Sequence, residues 1–409
     1  MGSEPKVTDS QAEEPTAPEQ NRLIKEILSG NATVTFMAIV FGLLVGALLI
    51  IFSDPDVLRT MGYLFARPTD FFGAVWDVVS SAYSALFRGA IFDWTASSPT
   101  RMIRPITETL VYATPLIMAG LAVAIPFRAG MFNIGGNGQV ILGALTAGFI
   151  GYAFQLPPVL HMIVAIIGGM LAGAIWAGIA GWLKAQTGAN EVIVTIMLNN
   201  IAVFLIAYLL RQAWFTTVDS PLPRSAVLEA SSRMPQILPD PFRLHAGFII
   251  ALLAAWGVWW LIERSTWGFE FRAVGANPHA ARTAGISVFR STVLVMVIAG
   301  SLAGMAGANQ ILGTETYLTL GIAGSLGFDA ITVALLGKSR PGGVVLAGLL
   351  FGALKAGSVA MASQTHLPVD IVLVIQSVIV LMVAAPPLVR TIFRLPKPGA
   401  RKVKKEAAA

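Results

Sequence analysis

Twelve polar residues stand inside or at the edges of long apolar runs: Glu108, Asn133, Asn137, Gln139, Glu191, Asn199, Asn200, Asn309, Gln310, Asp329, Lys355 and Gln376. A charge at the centre of a membrane helix costs roughly 2.5–3.5 kcal/mol on insertion scales, so such groups tend to face a protein interior or a wet path. Most of the twelve are neutral amides. An amide offers donors and acceptors without a fixed charge, which suits hydroxyls and heteroaromatic edges. A neutral polar solute fits that chemistry better than an ion. Asn133, Asn137, Gln139, Asn199, Asn309 and Gln310 are the candidates for such a path. The same amides could equally hold helices together.

Covalent and metal chemistry finds no footing. The chain has no cysteine, and its four histidines, His161, His245, His279 and His366, lie on separate loops or span ends without HExxH spacing. No serine nucleophile elbow is present. The Gly337-Lys338-Ser339 triplet is not a phosphate loop, because Thr332 stands where the first glycine is required. No catalytic residue, metal or cofactor is expected, and ATP is not bound by that route.

Two stretches carry most of the remaining information. Residues 132–139 read FNIGGNGQ and lead into the apolar run VILGALTAGFIGYAF. The glycines permit close helix packing. The stretch also reads as a broken helix start, whose free backbone groups and amides line a cavity. The loop 264–290, RSTWGFEFRAVGANPHAARTAGISVFR, is basic. Asn277 suits an N-cap and Pro278 the first helical position. His279–Ala284 supply about two turns, and Gly285 fits the left-handed residue beyond the helix. So short a helix is unstable alone and needs a surface to dock on. A loop resting on lipid headgroups is the other reading.

The elements that must position these groups follow from composition. Of 409 residues, 55% are hydrophobic and only 12% charged, and the mean hydropathy is +0.72. A chain so poor in charge cannot keep its surface wet, which makes it an all-α polytopic membrane protein. Spans of about 20 residues are expected at 34–52, 103–127, 132–154, 159–183, 191–210, 246–262, 291–312, 322–337, 342–360 and 370–388, about ten transmembrane helices in all. Residues 1–33 are polar, Pro-containing and Glu-rich, and read as a disordered cytoplasmic tail. The transmembrane domain covers 34–390, with an outer insert at 53–102 whose segment 68–92 is amphipathic, and a basic cytoplasmic tail follows at 391–409. The first run lacks the basic lead and cleavage site of a signal peptide. Placing both termini in the cytoplasm gives inner segments roughly a two-to-one excess of Lys and Arg, as the positive-inside rule asks. The net charge of +6 is accounted for by those loops, so nucleic acid is not expected as a partner. Asn190-Glu191 before VIVTIML and Phe328-Asp329 before AITVALL hint at two related bundles.

In three places the sequence resembles the permease subunits of bacterial ABC importers for nucleosides, within the ribose/branched-chain amino acid permease superfamily. The places are FNIGGNGQVILGA at 132–144, EVIVTIMLN at 191–199, and RAVGANPHAARTAGI at 272–286 followed by GFDAITVALLGKSRPGGV at 327–344. The resemblance spans roughly residues 100–390. It implies a permease without ATPase activity, in the bacterial cytoplasmic membrane. A separate ATP-binding subunit would dock on a coupling helix carried by Arg272, Asn277, Pro278, His279, Ala280, Ala281, Arg282 and Gly285. It also implies a second, related permease subunit and an extracytoplasmic solute-binding lipoprotein. Nucleosides are the implied cargo. A simple sugar such as ribose is the nearest alternative, and an ion-coupled secondary transporter would need a titratable group such as Glu108 or Lys355.

Overall fold

The computed structural model describes residues 31–216, 222–365 and 367–394. The expected N-terminal and C-terminal tails lie for the most part outside these residues. Among the described residues the chain is helical, with two isolated β-bridges, Arg224–Thr319 and Gln236–His245. Before the centre of the molecule come α1 (Asn31–Ser53), α2 (Pro55–Met61) and α3 (Pro68–Ala90). The first half of the core is α4 (Pro99–Arg128), α5 (Gly136–Ala153), α6 (Leu160–Thr187) and α7 (Glu191–Leu209), closed by the short α8 (Ala213–Thr216). Then follow α9 (Gly247–Arg264), α10 (Thr266–Ala276) and α11 (Pro278–Thr283). The second half is α12 (Val288–Asn309) with a π-helical turn at Gln310–Thr314, α13 (Leu326–Leu336), α14 (Pro341–Thr365), α15 (Asp370–Ala384) and α16 (Pro386–Ile392).

Seven helices are long and apolar enough to cross a bilayer: α1, α4, α6, α7, α9, α12 with its π turn, and α14. The pair α15–α16, bent by 98°, makes an eighth if it is one span. Two of the ten expected spans differ in kind. α5 begins only at Gly136, and its polar first turn, GNGQ, dilutes its apolar character. α13 has 11 residues, about 16 Å at 1.5 Å per residue, half of a hydrocarbon core of about 30 Å. The apolar run that reads as continuous from Ile322 is broken by turns at Gly321 and Gly324, the latter at φ 47°. What the sequence presents as a full span at 322–337 is a half-length helix.

The core is built on α4 and α12, which run in opposite directions. α4 packs most extensively on α14, and α12 on α6, so each half's first helix lies against the other half's third. Glycine makes one of these contacts possible. On α12 and α6, a Cβ on Gly300 would sit 2.2 Å from the Gly173 carbonyl oxygen, and one on Gly304 would sit 2.2 Å from that of Gly169. Lipid tails give apolar helices no hydrophobic reason to associate, so backbone contact of this kind supplies the attraction. The amphipathic segment expected at 68–92 is α3. Its second half packs on α14 through Ala82, Ala85, Leu86 and Ala90, while Phe72 and Trp76 in its first half are exposed.

Candidate functional site

The FNIGGNGQ stretch is a joint closed by side-chain amides. Asn133 Nδ2 donates to Gln139 Oε1 (3.0 Å), and Gln139 Nε2 donates back to Asn133 Oδ1 (2.9 Å). Asn133 Oδ1 also accepts from the Gly135 N–H at 3.1 Å. From α7, Asn199 spans the gap: its Oδ1 accepts from the Gly138 N–H and its Nδ2 donates to the Ile134 carbonyl, both at 2.8 Å. Glu191 completes the brace by accepting from Lys184 Nζ (2.6 Å) and from the Phe132 N–H (3.4 Å). Asn133 and Gln139 are fully buried. The orphan N–H groups at a helix start need partners, and here side chains supply them. The start of α5 meets the start of α13, where a Cβ on Gly327 would fall 2.1 Å from the Asn137 nitrogen. Asn137 Oδ1 is buried without a hydrogen-bond partner among the described residues.

A cavity of about 210 Å³ lies beside α13, walled by α4, α14, α15 and the turn before α13. Its polar lining includes Tyr112, Gln310, Glu315, Thr319, Ser325, Asp329, Lys355 and Gln376, and Leu116 and Phe351 supply apolar wall. Of the six candidate path residues, Gln310 lines this cavity. Asn309 is buried next door, its Nδ2 reaching only Met234 Sδ at 3.6 Å. Asp329, Lys355 and Gln376 stand out in the sequence as polar residues in apolar runs, whereas Glu315 carries no such signal.

Tyr112 also lines a larger, more open cavity of about 680 Å³ at the α4 end that carries Glu108. Arg243 donates to both oxygens of Glu108, through Nε at 3.1 Å and through Nη2, and Arg104 Nε lies 3.5 Å from the same carboxylate. The hydrogen bonds to Glu108 hold the Arg243 guanidinium even more firmly protonated than usual. Across the cavity Arg88 donates to Thr95 Oγ1 (2.8 Å) and Gln364 Oε1 (2.6 Å). Asp93 is held below the ordinary carboxylate range, chiefly by the hydroxyl of Thr95.

At the Arg128 end, α10 and α11 form a helical hairpin. Asn277 Oδ1 accepts from the N–H groups of His279 (3.0 Å) and Ala280 (3.1 Å), capping α11. Gly285 adopts φ 84°, and the Ile286 N–H closes back on the Ala281 carbonyl at 3.0 Å. This is the short capped helix the sequence implies, running Pro278–Thr283. Ala281 is buried, while Pro278, His279, Ala280 and Arg282 are exposed. α10 was not legible in the sequence. Its residue Arg272 donates to the Ile262 carbonyl, and a Cβ on its Gly275 would sit 2.5 Å from the Ala129 carbonyl carbon. Arg128 ties this end together, donating through Nε to the Ser339 carbonyl (3.1 Å) and pairing with Glu263 at 3.4 Å. The hairpin therefore touches the chain entering FNIGGNGQ, and Arg128 beside it holds the turn following α13.

Residues 106–384 match the family described as branched-chain amino acid transport system / permease component. The chain belongs to that family. The permease is 38% identical over 369 residues to the guanosine ABC transporter permease protein NupP of Bacillus subtilis, covering 90% of this chain and 97% of that one. It is 31% identical over 383 residues to the nucleoside ABC transporter permease protein NupB of Lactococcus lactis, covering 92% and 95%. A glucose ABC transporter permease, TsgB13 of Haloferax volcanii, is 35% identical over 285 residues, covering 68% and 75%. No solved structure matches. With its apolar helices, the permease is a multi-pass integral protein of the cell membrane.

Proposed function

We propose that this permease forms the membrane path of an ATP-driven importer of nucleosides, powered by a separate ATP-binding subunit. The supporting observation is the match over 90% of the chain to a permease named for guanosine import. In this reading the Arg128 end is cytoplasmic, both termini are inside, and α5 and α13 complete a ten-segment bundle of two related, oppositely oriented halves. The mutual packing of α4 on α14 and α12 on α6 supports that symmetry. The ATP-binding subunit docks on α11 through Pro278, His279, Ala280 and Arg282, with Asn277 and Gly285 fixing the helix and Arg272 and Ala281 seating it. A second, related permease and an extracytoplasmic solute-binding lipoprotein complete the assembly. Gln310 faces the path, and Asn133, Asn137, Gln139, Asn199 and Asn309 shape the joint beside it. Movement of α11 reaches the path through Gly275 of the adjoining α10, which meets Ala129 and Gly130 just before FNIGGNGQ. The permease itself makes and breaks no covalent bond.

The test is uptake by cells with this chain deleted and then restored. Loss and recovery of radiolabelled nucleoside uptake supports the reading. Loss of ribose uptake with nucleoside uptake intact overturns it in favour of a sugar permease.

A further inference from the structure

The polar groups of the permease divide into two populations. At FNIGGNGQ the amides of Asn133, Gln139 and Asn199 are spent on one another and on backbone groups, while Asn137 Oδ1 is buried and unpaired where α5 meets α13. In the cavity beside α13 most polar side chains are unpaired. The side chains of Gln310, Glu315, Lys355 and Gln376 make no hydrogen bond and no ion pair to any described residue. Gln376 is 6% exposed, Gln310 and Asp329 are half-buried, and Glu315 and Lys355 are exposed, so these groups open onto the cavity. Asp329 accepts one hydrogen bond, from Ser325 Oγ to Oδ2 at 2.6 Å, which leaves Oδ1 open. Lys355, on α14, interacts electrostatically with Asp329, on α13, but the two are not within ion-pair distance. Polar side chains that converge on one cavity with donors and acceptors left over are open to a ligand or to water.

The chemistry of the set is specific. Gln310, Gln376 and Lys355 offer N–H donors, and Asp329, Glu315 and the two glutamine carbonyls offer acceptors. Phe351 and Tyr112 add flat apolar faces against which a planar ring can lie. Two carboxylates against one ammonium leave an excess of negative charge, which disfavours an anionic solute. The volume, about 210 Å³, is below the ~300–1,000 Å³ of drug-sized sites and suits a smaller solute.

We propose that Asp329, Lys355, Gln310 and Gln376 are the residues of the permease that contact and select the transported solute. The solute is neutral and carries donors and acceptors on a planar edge; it is a nucleoside, an identification that rests on the function proposed above, and its 5′-phosphate esters are excluded. The negative excess and the neutral amides together set that exclusion. Asn133, Gln139 and Asn199 hold the joint and do not touch the solute.

The test uses the complete transporter, with ATP-binding subunit, partner permease and binding protein, in proteoliposomes. Uptake of radiolabelled guanosine is measured for wild type, Asp329→Asn, Lys355→Met and Gln376→Ala, with unlabelled guanosine, ribose and guanosine 5′-monophosphate as competitors. The expected result is a tenfold or greater rise in KM for each variant at unchanged protein level in the membrane, with an altered competitor ranking. Asp329→Asn is expected to admit the monophosphate as a competitor. Unchanged KM and ranking in all three variants overturns the proposal, whatever the cargo. If wild type carries ribose and not guanosine, the nucleoside reading fails on its own. The same variants, assayed with ribose, then still decide whether this cavity selects the solute. Should one variant fail to reach the membrane, the milder Gln376→Asn and Lys355→Arg supply the measurement.

Discussion

Asn199→Ala separates scaffold from path most cleanly. Asn199 is the tie between α7 and the start of α5, and its two hydrogen bonds, both 2.8 Å, go to backbone groups of Gly138 and Ile134. Truncation leaves the Gly138 N–H buried and unpaired, at a cost of about 1–3 kcal/mol, and the more accessible Ile134 carbonyl at the low end of the same range. Together these give roughly 2–4 kcal/mol. At about 2–4 °C per kcal/mol for domains of 150–250 residues, and less for a longer chain, the melting temperature in detergent is expected to fall by several degrees. Asn200→Ala is the control, because that neighbour is exposed and bonds only the carbonyl of its own helix, Ile196, at 3.1 Å. It is expected to stay within about 0.5 kcal/mol of wild type. The assay is thermal unfolding of the purified protein beside nucleoside uptake. An Asn199→Ala protein as stable as wild type but unable to transport would refute the scaffold role and put the amide on the path.

Other expectations follow from single contacts. Gly304→Val places a Cβ 2.2 Å from the Gly169 carbonyl oxygen and is expected to abolish accumulation of the folded permease, whereas Gly342→Ala meets nothing within 4 Å and is expected to be silent; membrane immunoblots compare them. Arg128→Ala removes a half-exposed ion pair worth at most about 1 kcal/mol but also the tie to Ser339, so transport is expected to fall several-fold while thermal stability moves by a degree or two. His245, in the loop before α9, is pushed down to about 4 by burial and by Arg243, and its Nδ1 accepts from the Gly247 N–H. Because its folded value lies below the ordinary 6.5, stability is full above about pH 6.5 and is lost as pH falls toward 4, by up to about 3 kcal/mol. His245→Gln is expected to flatten that profile in a pH series of melting temperatures.

The apolar runs and the caps were readable from the sequence because both are local. Span lengths follow from runs such as 342–360, and α11 follows from Asn277, Pro278 and Gly285 within nine residues. The half-length of α13 was hidden, since Gly321 and Gly324 interrupt an apolar run without making it polar. The roles of the amides were hidden for a different reason. Asn133 pairs with Gln139 nearby, but Asn199 reaches Ile134 across 65 positions, and the cavity joins Tyr112, Gln310, Asp329, Lys355 and Gln376 from five separate segments. An amide type at one position does not say whether its partner is a backbone group or a solute; only the tertiary arrangement does. α10 was missed because TWGFEFRAVGA mixes aromatic, charged and glycine residues without a clean helical stripe. It is fixed by Ser265, whose Oγ accepts from the Gly268 N–H at 3.0 Å, and by the backbone contact of Gly275.

One measurement tests ATP-driven import through this permease most directly: guanosine accumulation in proteoliposomes holding the complete transporter, with and without ATP on the side where α11 is exposed. The predicted result is uptake that requires ATP, is unaffected by a protonophore, and is lost when Pro278–Thr283 is replaced by glycine and serine although the protein is present. Uptake that proceeds without ATP and collapses with the protonophore, or that survives replacement of α11, would contradict it.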